Sequence, residues 1–450
     1  MKRKVATSLT VLSISALLAA CGGGGNGGGS GAAGGGADNS KDSGAAPAPR
    51  KDPVELAIVN GMSTMTEDQF MQEYGKTIME KFPHVKIKYY IGNSNKTMTE
   101  RITAGEPIDI IFASSGLTVD SLIAHGLEYD ISGLIKSYKY DLSRLEPTSI
   151  EFQNKIANGG IYGLPVNTNT LALFYNKDIF DKFGVPYPKE GMTWDELYDV
   201  AKKLTRQEGG VQYRGFLMSF PHMFRLNQLS VPFVDPQTNK PNFESDGFKR
   251  LVDNFARFFA IPGNEGNAST VQNLGKQRDM FVKEKSAAMI ADLGGWYVNP
   301  ALKEMNWDVV QLPSFKDKMG IGTQTYPTYY YITGTSKYKE QAFEIISYLT
   351  TDEFQTVQAR RGYAPIVKNP EIAKVIGQDT DVLKGKNVKS LLPEKFASPV
   401  MLSRQSAATE AAMYKALENI VQNKSDVNTA LREAVEGGDK AIKELEAKTK

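Results

Sequence analysis

Asn167, Thr168 and Asn169 place two carboxamides and one hydroxyl in a single short polar stretch of the chain. A carboxamide offers both donors and an acceptor, and a hydroxyl can play either part. This combination suits a ligand that presents hydroxyl groups, such as a sugar. The alternative is a plain turn, because Asn and Thr also favour loops for backbone reasons.

Other hydroxyl side chains follow the predicted strands. Open α/β sheets bind their ligands beyond the carboxyl ends of the strands. That rule selects Ser63 and Thr64 after the first strand, and Ser114 and Ser115 after the third. Each of them could equally be a turn residue. If the fold is an open sheet, the set should converge on one site.

Aromatic side chains supply a second kind of contact. Sugar rings have apolar C–H faces that pack on aromatic planes, in sites that are mainly apolar with a few placed polar groups. Trp296 follows two glycines after a predicted strand, so we expect its ring at a loop, with Tyr297 beside it. In the tyrosine cluster that follows, Tyr326 and Tyr329 are the candidates, although alternation requires some of its members to be core. Trp194 and Trp307 are predicted to be structural.

The remaining candidate is Arg361, whose guanidinium can clamp a carboxylate or phosphate. A solvated or hinge arginine is the alternative. We predict no catalytic residue and no metal ligand set, because the three histidines are far apart and none lies in an H-E-x-x-H motif. A glycosidase uses a pair of carboxylates that come together only in the fold, so the spacing of acidic residues in the sequence does not exclude one. A glycoside-acting enzyme therefore stays the catalytic alternative.

Hydrophobic patterning indicates the elements that position these residues. Strands are predicted at 54–59, 85–90 and 108–112, with helices from 66 to 82 and from 96 to 104 between them. This alternation implies parallel strands with right-handed crossovers. The same style continues with strands at 170–175, 287–291, 307–312 and 329–333, and with helices at 193–204, 245–259, 339–349 and from about 404 onwards.

The first fifty residues have a different character. A basic cluster at 2–4 and an apolar run at 5–20 are typical of a secretory signal. The run ends in Leu-Ala-Ala-Cys, which resembles the lipobox of bacterial lipoproteins, and Cys21 is the only cysteine of the chain. We expect residues 1–20 to be a lipoprotein signal peptide and 21–51 a lipidated cysteine with a flexible glycine-rich tether. An ordinary signal peptide is the alternative.

Charge excludes one class of partner. Lys and Arg number 53 and Asp and Glu number 51, a formal net charge of +2. A nucleic-acid partner calls for a strong basic excess, so none is predicted.

Five segments, in order, resemble the family 1 extracellular solute-binding proteins of ABC importers. One departure is Lys285-Ser286, where that family often has glycine. The segments are 107–112 (PIDIIF), 162–166 (YGLPV) with 173–178 (LFYNKD), 183–186 (FGVP) with 193–197 (TWDEL), 281–289 (FVKEKSAAM) with 294–296 (GGW), and 336–337 (SK) with 342–349 (AFEIISYL).

The resemblance implies an α/β, two-lobed periplasmic-binding-protein-like fold of type II, with a ligand cleft between discontinuous lobes. Lobe 1 would hold residues 52–165 and 326–365, and lobe 2 would hold 166–325 and 366–450. It also implies a binding protein that is not an enzyme, that needs no cofactor, and that delivers a small solute, with carbohydrate or oligosaccharide favoured, to an ABC permease.

The same resemblance implies a monomer at the extracytoplasmic face of a bacterial cell membrane, held there only by its lipid anchor. A surface or sensory ligand-binding lipoprotein that is not coupled to transport is the alternative function.

Overall fold

The computed structural model describes residues 50–62, 65–92 and 96–449. The predictions for the signal peptide, for Cys21 and its tether up to residue 49, and for Ser63 and Thr64 lie outside these ranges.

Thirteen strands occur in the described part of the chain, and the predicted strands are among them with bounds shifted by two residues at most. They are β1 (Val54–Asn60), β2 (Val85–Ile91), β3 (Ile110–Ser114), β4 (Gly163–Asn167), β5 (Leu171–Asn176), β6 (Arg206–Glu208), β7 (Val211–Tyr213), β8 (Leu217–Met218), β9 (Met289–Leu293), β10 (Trp307–Gln311), β11 (Ile321–Gln324), β12 (Thr328–Ile332) and β13 (Lys395–Ala397).

The α-helices connect and cover the strands. They are α1 (Glu67–Phe70), α2 (Lys76–Lys81), α3 (Met98–Thr103), α4 (Thr118–Ser121), α5 (Ser132–Ser137), α6 (Pro147–Ile156), α7 (Lys177–Phe183), α8 (Trp194–Leu204), α9 (Phe220–Arg225), α10 (Asp246–Phe259), α11 (Ala268–Val271), α12 (Leu274–Val282), α13 (Lys339–Tyr348), α14 (Asp352–Arg360), α15 (Pro370–Ala373), α16 (Arg404–Val421) and α17 (Val427–Thr449).

Helix starts follow from side-chain caps. The predicted capping boxes at Thr66 and Thr193 are confirmed. The hydroxyl of each threonine accepts a hydrogen bond from the backbone N–H three residues later, and the side chain of that later residue accepts one from the backbone N–H of the threonine. Ser245 caps α10 in the simpler way, accepting from the Phe248 amide. Between α1 and α2 the helix widens into a π-turn, Met71–Gly75.

The first sheet has the strand order β2-β1-β3-β12-β4. β1 pairs in parallel with β2 and β3, as the alternation of strands and helices predicts. β12 then enters antiparallel between β3 and β4, with Thr328 opposite both Ser114 and Asn167. A strand from late in the chain therefore completes a sheet begun near its start.

The second sheet has the order β10-β5-β9-β8. Its central strand β5 is antiparallel to both β10 and β9. All six residues of β5 are buried, which suits a strand covered on both faces. Helix α10 packs its phenylalanine-rich face, including Phe248, Phe255 and Phe258, into the same core.

Each sheet has its own hydrophobic core. The core of the first sheet draws on residues between 54 and 166 and between 330 and 354. The core of the second draws on residues between 171 and 315, on Leu383 and Leu391, and on α16 and α17. A smaller cluster joins Ile366, Val367, Ile372 and Ile376 to Leu145 and Ala359. In the described residues, no helix combines the length and apolar character that a membrane span requires.

Candidate functional site

A cavity of about 680 Å³ opens between residues of the two sheets. The first sheet and its helices contribute Glu73, Tyr74, Phe112, Asn167 and Thr328, among others. The second contributes Arg278 and the segment that runs from the last residue of β9, Leu293, to Pro300. Arg361, Tyr363 and Ala364 complete the wall. The volume lies within the range typical of small-molecule sites.

The predicted polar stretch forms part of this wall. The Asn167 Oδ1 accepts a hydrogen bond of 3.1 Å from the Thr328 amide, and the Asn169 Oδ1 accepts one of 3.1 Å from the Gly295 amide. The Thr168 amide donates to the Ala364 carbonyl at 3.0 Å. These bonds tie the stretch to three other segments and hold the side chains of Asn167 and Asn169 and the backbone of Thr168 in place.

Two hydroxyls in the wall are buried and have no hydrogen-bond partner among the described residues. They are the Thr168 Oγ1 and the Tyr297 hydroxyl, and the Tyr297 side chain is only 1% exposed. Burial raises the pKa of Tyr297, so the phenol stays a neutral donor. Buried polar groups are nearly always paired, which makes both hydroxyls candidates to meet a ligand.

Trp296 also lines the cavity, but most of its ring is buried, contrary to the expectation of an exposed loop position. Its ring packs edge-on against Phe174 and Phe281 in the second core. The guanidinium of Arg278 lies 5.1 Å from the ring centroid, a cation–π distance. Arg278 is itself bound through two hydrogen bonds to Asp292.

The opposite wall carries a carboxylate. Burial raises the pKa of Glu73, while a hydrogen bond from Tyr363 and the positive charge of Arg361 oppose that rise. The Nη1 of Arg361 donates to the backbone carbonyls of Gln72 and Glu73, at 3.4 and 3.3 Å. Arg361 therefore reaches the cavity at the π-turn.

Six of the candidates that sequence reasoning selected come together here: Asn167, Thr168, Asn169, Trp296, Tyr297 and Arg361. Ser114 and Tyr326 are outside the residues that line the cavity, and the Ser114 Oγ instead donates to the Tyr326 hydroxyl at 3.2 Å. The pair joins the end of β3 to the segment before β12.

Tyr329, which was expected to contact a ligand, lies in the core and not in the cavity wall. Its ring stacks on Phe152 and Tyr331 in the core, and its hydroxyl donates to the Ser149 carbonyl at 2.7 Å. Alternation along β12 puts Tyr329 and Tyr331 on one face of the sheet and Tyr330 on the other. Neither face of β12 meets the cavity, so only Thr328, at the start of the strand, lines it.

Sequence reasoning missed Gln69, Glu73, Tyr74 and Arg278 as lining residues. The helical spacing of apolar residues predicts that Tyr74 belongs to the core, and Tyr74 is indeed buried there. That spacing does not indicate the π-turn. Arg278 lies on α12, which the strand and helix pattern did not single out. In the described ranges, no group of three or more His, Cys, Asp or Glu side chains is arranged to hold a metal ion.

Trp194 and Trp307 are structural, as predicted. Trp194 is buried beside the start of α8, and its indole Nε1 donates to the Gln228 Oε1 at 3.0 Å. Trp307 is buried in the second core, stacked on Phe174.

Comparison with solved structures shows the fold. An ABC substrate-binding protein from Listeria monocytogenes in complex with cycloalternan superposes with a TM-score of 0.68 at 18% identity, covering 87% of this chain and 99% of that chain. A sugar transporter from Rhizobium etli in an open conformation gives 0.67 at 21% identity, covering 86% and 99%. These likenesses confirm the predicted α/β, two-lobed periplasmic-binding-protein-like fold.

Sequence comparison agrees. The sn-glycerol-3-phosphate-binding periplasmic protein of Brucella melitensis is 24% identical over 422 residues, covering 86% of this chain and 93% of that protein. The galactooligosaccharide-binding protein of Bacillus subtilis is 22% identical, covering 69% and 73%. The model of the family "Bacterial extracellular solute-binding protein" matches residues 63–356. The chain therefore belongs to the bacterial extracellular solute-binding proteins.

Proposed function

We propose that the protein captures a carbohydrate, either a mono- or an oligosaccharide, in the cavity between the two sheets and delivers it to an ABC import permease. The observation that carries this proposal is the pair of buried hydroxyls, on Thr168 and Tyr297, that have no partner among the described residues. Leaving such groups unpaired costs about 1–3 kcal/mol each, and a ligand rich in hydroxyls would recover that cost.

The rest of the wall suits the same ligand. Asn167 and Asn169 bring carboxamides, and Trp296 and Tyr297 bring aromatic surface. A sugar offers apolar C–H faces to the rings and hydroxyls to the amides. The relatives named for glycerol phosphate and for galactooligosaccharides also take ligands that carry several hydroxyls.

Binding is proposed to close two lobes around the solute. Lobe 1 would comprise residues 52–165 and 326–365, and lobe 2 residues 166–325 and 366–450. The separate hydrophobic cores and the lining of the cavity from both sheets support this division, while the cluster that joins Ile366 to Leu145 favours keeping residues 366–376 with lobe 1. A ligand that contacts both lobes binds the closed state more tightly and shifts the population toward it.

The family is extracellular, so the protein acts outside the cytoplasm. We propose further that Cys21 is lipidated and anchors a monomer to the membrane surface, where two acyl chains give stable attachment. A role in binding without catalysis fits the family and the lack of a recognisable catalytic motif in the sequence.

A thermal-shift screen of the purified protein against mono- and oligosaccharides tests the proposal. A ligand that binds only the native state stabilises it and so raises the melting temperature. The added stability is about 2.7 kcal/mol when the ligand concentration is one hundred times the dissociation constant. Small-angle scattering with the best hit should then show a smaller radius of gyration. A complete panel without any shift would refute the carbohydrate assignment, and binding without compaction would refute the closure.

A further inference from the structure

We propose that Arg361 binds an acidic group of the ligand, so that the solute is a carbohydrate that carries a phosphate or a carboxylate. This inference rests on the proposed function and deepens it by naming the class of sugar. The observation behind it is a guanidinium in the cavity wall whose Nε and Nη2 atoms have no hydrogen-bond partner among the described residues.

Other arginines of the protein use these two atoms to bind carboxylates. The Nε and Nη2 of Arg278 donate to the two carboxylate oxygens of Asp292, at 2.7 Å each. The same two atoms of Arg360 donate to Asp379 at 2.9 and 2.6 Å, and those of Arg225 donate to a glutamate of α16. Parallel bonds of this kind recognise a group with two neighbouring oxygens, which a carboxylate and a phosphate both have.

Arg361 keeps this edge of its guanidinium free. Its side chain donates only through Nη1, to the backbone carbonyls of Gln72 and Glu73 at 3.4 and 3.3 Å. These bonds locate one corner of the planar group and leave the donors on Nε and Nη2 for another acceptor. In the described part of the chain, no acidic side chain lies within 4.0 Å of the Arg361 guanidinium.

The backbone around Arg361 is held close to the segment that follows β9. The Thr380 hydroxyl donates to the Arg361 carbonyl at 2.9 Å. The next residue, Gly362, has a φ of 108°, and a Cβ there would lie 2.6 Å from the Val298 Cγ1 and 3.4 Å from the Tyr297 Cε2. A sugar whose acidic group binds Arg361 would therefore lie near the Tyr297 side chain, whose buried hydroxyl also has no partner among the described residues.

Glu73 is the acidic residue that lines the cavity in the described part of the chain. Its carboxylate lies more than 4.0 Å from the guanidinium nitrogens of Arg361, since no ion pair joins the two. A phosphate or carboxylate bound to the free edge would have its oxygens about 2.7–2.9 Å from the same nitrogens. Because attraction falls with distance, the guanidinium acts more strongly on such a ligand than on Glu73.

Isothermal titration calorimetry tests this by comparing glucose, galactose and mannose with their 6-phosphates and with the corresponding uronic acids. The wild type should bind at least one of these acids about 30-fold more tightly than its neutral parent. The phosphates and the uronic acids show which of the two acidic groups the site takes. The preference should shrink as the NaCl concentration rises from about 0.02 M to about 0.5 M, whereas the affinity for the neutral parent should not change.

Arg361→Met should remove the preference, so that the acid and its neutral parent bind within about threefold of each other. Arg361→Lys keeps the charge but loses the planar pair of donors, so it should retain only part of the preference. Arg360→Met is the matched control. It makes the same change of charge one residue earlier, at a side chain that binds Asp379 and is not among the residues that line the cavity, and it should change neither affinity.

A wild type that binds the neutral sugars as tightly as their acids, or an Arg361→Met variant that keeps the preference, would overturn the assignment of Arg361 and leave the solute-binding role standing. If Arg361→Met does not fold, a preference that is undiminished in Arg361→Lys or insensitive to salt would overturn it equally. If the wild type binds none of these probes and no sugar of the thermal-shift panel, the proposed function itself fails, and this inference with it.

Discussion

Arg278 and Asp292 form a fork-to-fork ion pair at the wall of the cavity, with Nε–Oδ2 and Nη2–Oδ1 distances of 2.7 Å each. The arginine comes from α12 and the aspartate from β9, and the aspartate side chain is 0% exposed. Because Arg278 also lies over the ring of Trp296, the pair fixes an aromatic surface of the cavity to the second sheet.

Arg278→Met is expected to lower the free energy of unfolding by about 3 kcal/mol at pH 7.5, since it strands a buried carboxylate. Burial raises the pKa of Asp292 and Arg278 opposes that rise, so removal of the arginine leaves only the upward effect. The deficit should therefore shrink as the pH falls and Asp292 becomes protonated.

Urea unfolding at pH 7.5 and pH 5 measures this deficit. Arg250→Met is the matched control, because its partner Asp317 is exposed and such surface pairs contribute about 0–1 kcal/mol. Equal losses in the two variants, or a deficit that grows on acidification, would contradict the assigned role of the buried pair.

Tyr297→Phe is expected to separate binding from stability. The variant removes a hydroxyl that has no partner among the described residues, so the free energy of unfolding should stay the same or rise. Affinity for a carbohydrate should fall about tenfold, through the loss of one hydrogen bond to the ligand.

Tyr330→Phe provides the comparison for Tyr297→Phe. Its hydroxyl is also buried and unpartnered among the described residues, but Tyr330 lies in the core of the first sheet and not in the cavity wall. Calorimetric titration should find unchanged affinity in this variant. Similar affinity losses in both, or in neither, would remove the Tyr297 hydroxyl from the site.

His222 should make the fold sensitive to acid. Burial, with help from the charges of Arg225 and Arg278, lowers the pKa of His222 to about 4, while its Nδ1 lies 2.8 Å from the Ser219 Oγ. Because the pKa of His222 is lower in the folded than in the unfolded chain, the neutral histidine contributes stability above the unfolded-state pKa of about 6.5. That contribution is lost as the pH falls toward 4, and the loss reaches about 3 kcal/mol.

Chemical unfolding from pH 7.5 to pH 4 in the wild type and in His222→Gln measures that loss. The acidic residues contribute alike to both proteins, so the difference isolates the histidine. We expect the variant to lose less stability over this interval. Parallel curves would show that His222 is not buried as a neutral ring.

Local patterns predicted most of the fold. Alternating and apolar runs located the strands, and Thr66, Thr193 and Ser245 marked helix starts, because a cap is a contact within three residues of sequence. The entry of β12 between β3 and β4 depends on contacts more than 150 residues apart. No local pattern reports such contacts, and only the family resemblance implied a return of the chain near that point.

The site was less predictable than the fold. Asn167 and Asn169 were found because they bring two carboxamides into one short polar stretch, and Trp296 and Tyr297 because they follow a glycine pair. Glu73 and Arg278 sit on helices, where charged residues are usually solvated, and only the π-turn and the buried Asp292 distinguish them. Tyr329 was wrongly expected at the site because the alternation of side chains along a strand assigns them to the two faces of a sheet but does not show that both faces are buried.

The late insertion of β12 also has a consequence for how an exported chain matures. If the polypeptide emerges N-terminus first, the first sheet stays incomplete until residue 332 has appeared, since β4 pairs only with β12 in the part of that sheet that the structure describes. The second core waits longer, for the helices that begin at Arg404. Long-range pairings of this kind slow folding, and here neither sheet can bury its complete core until most of the chain is available.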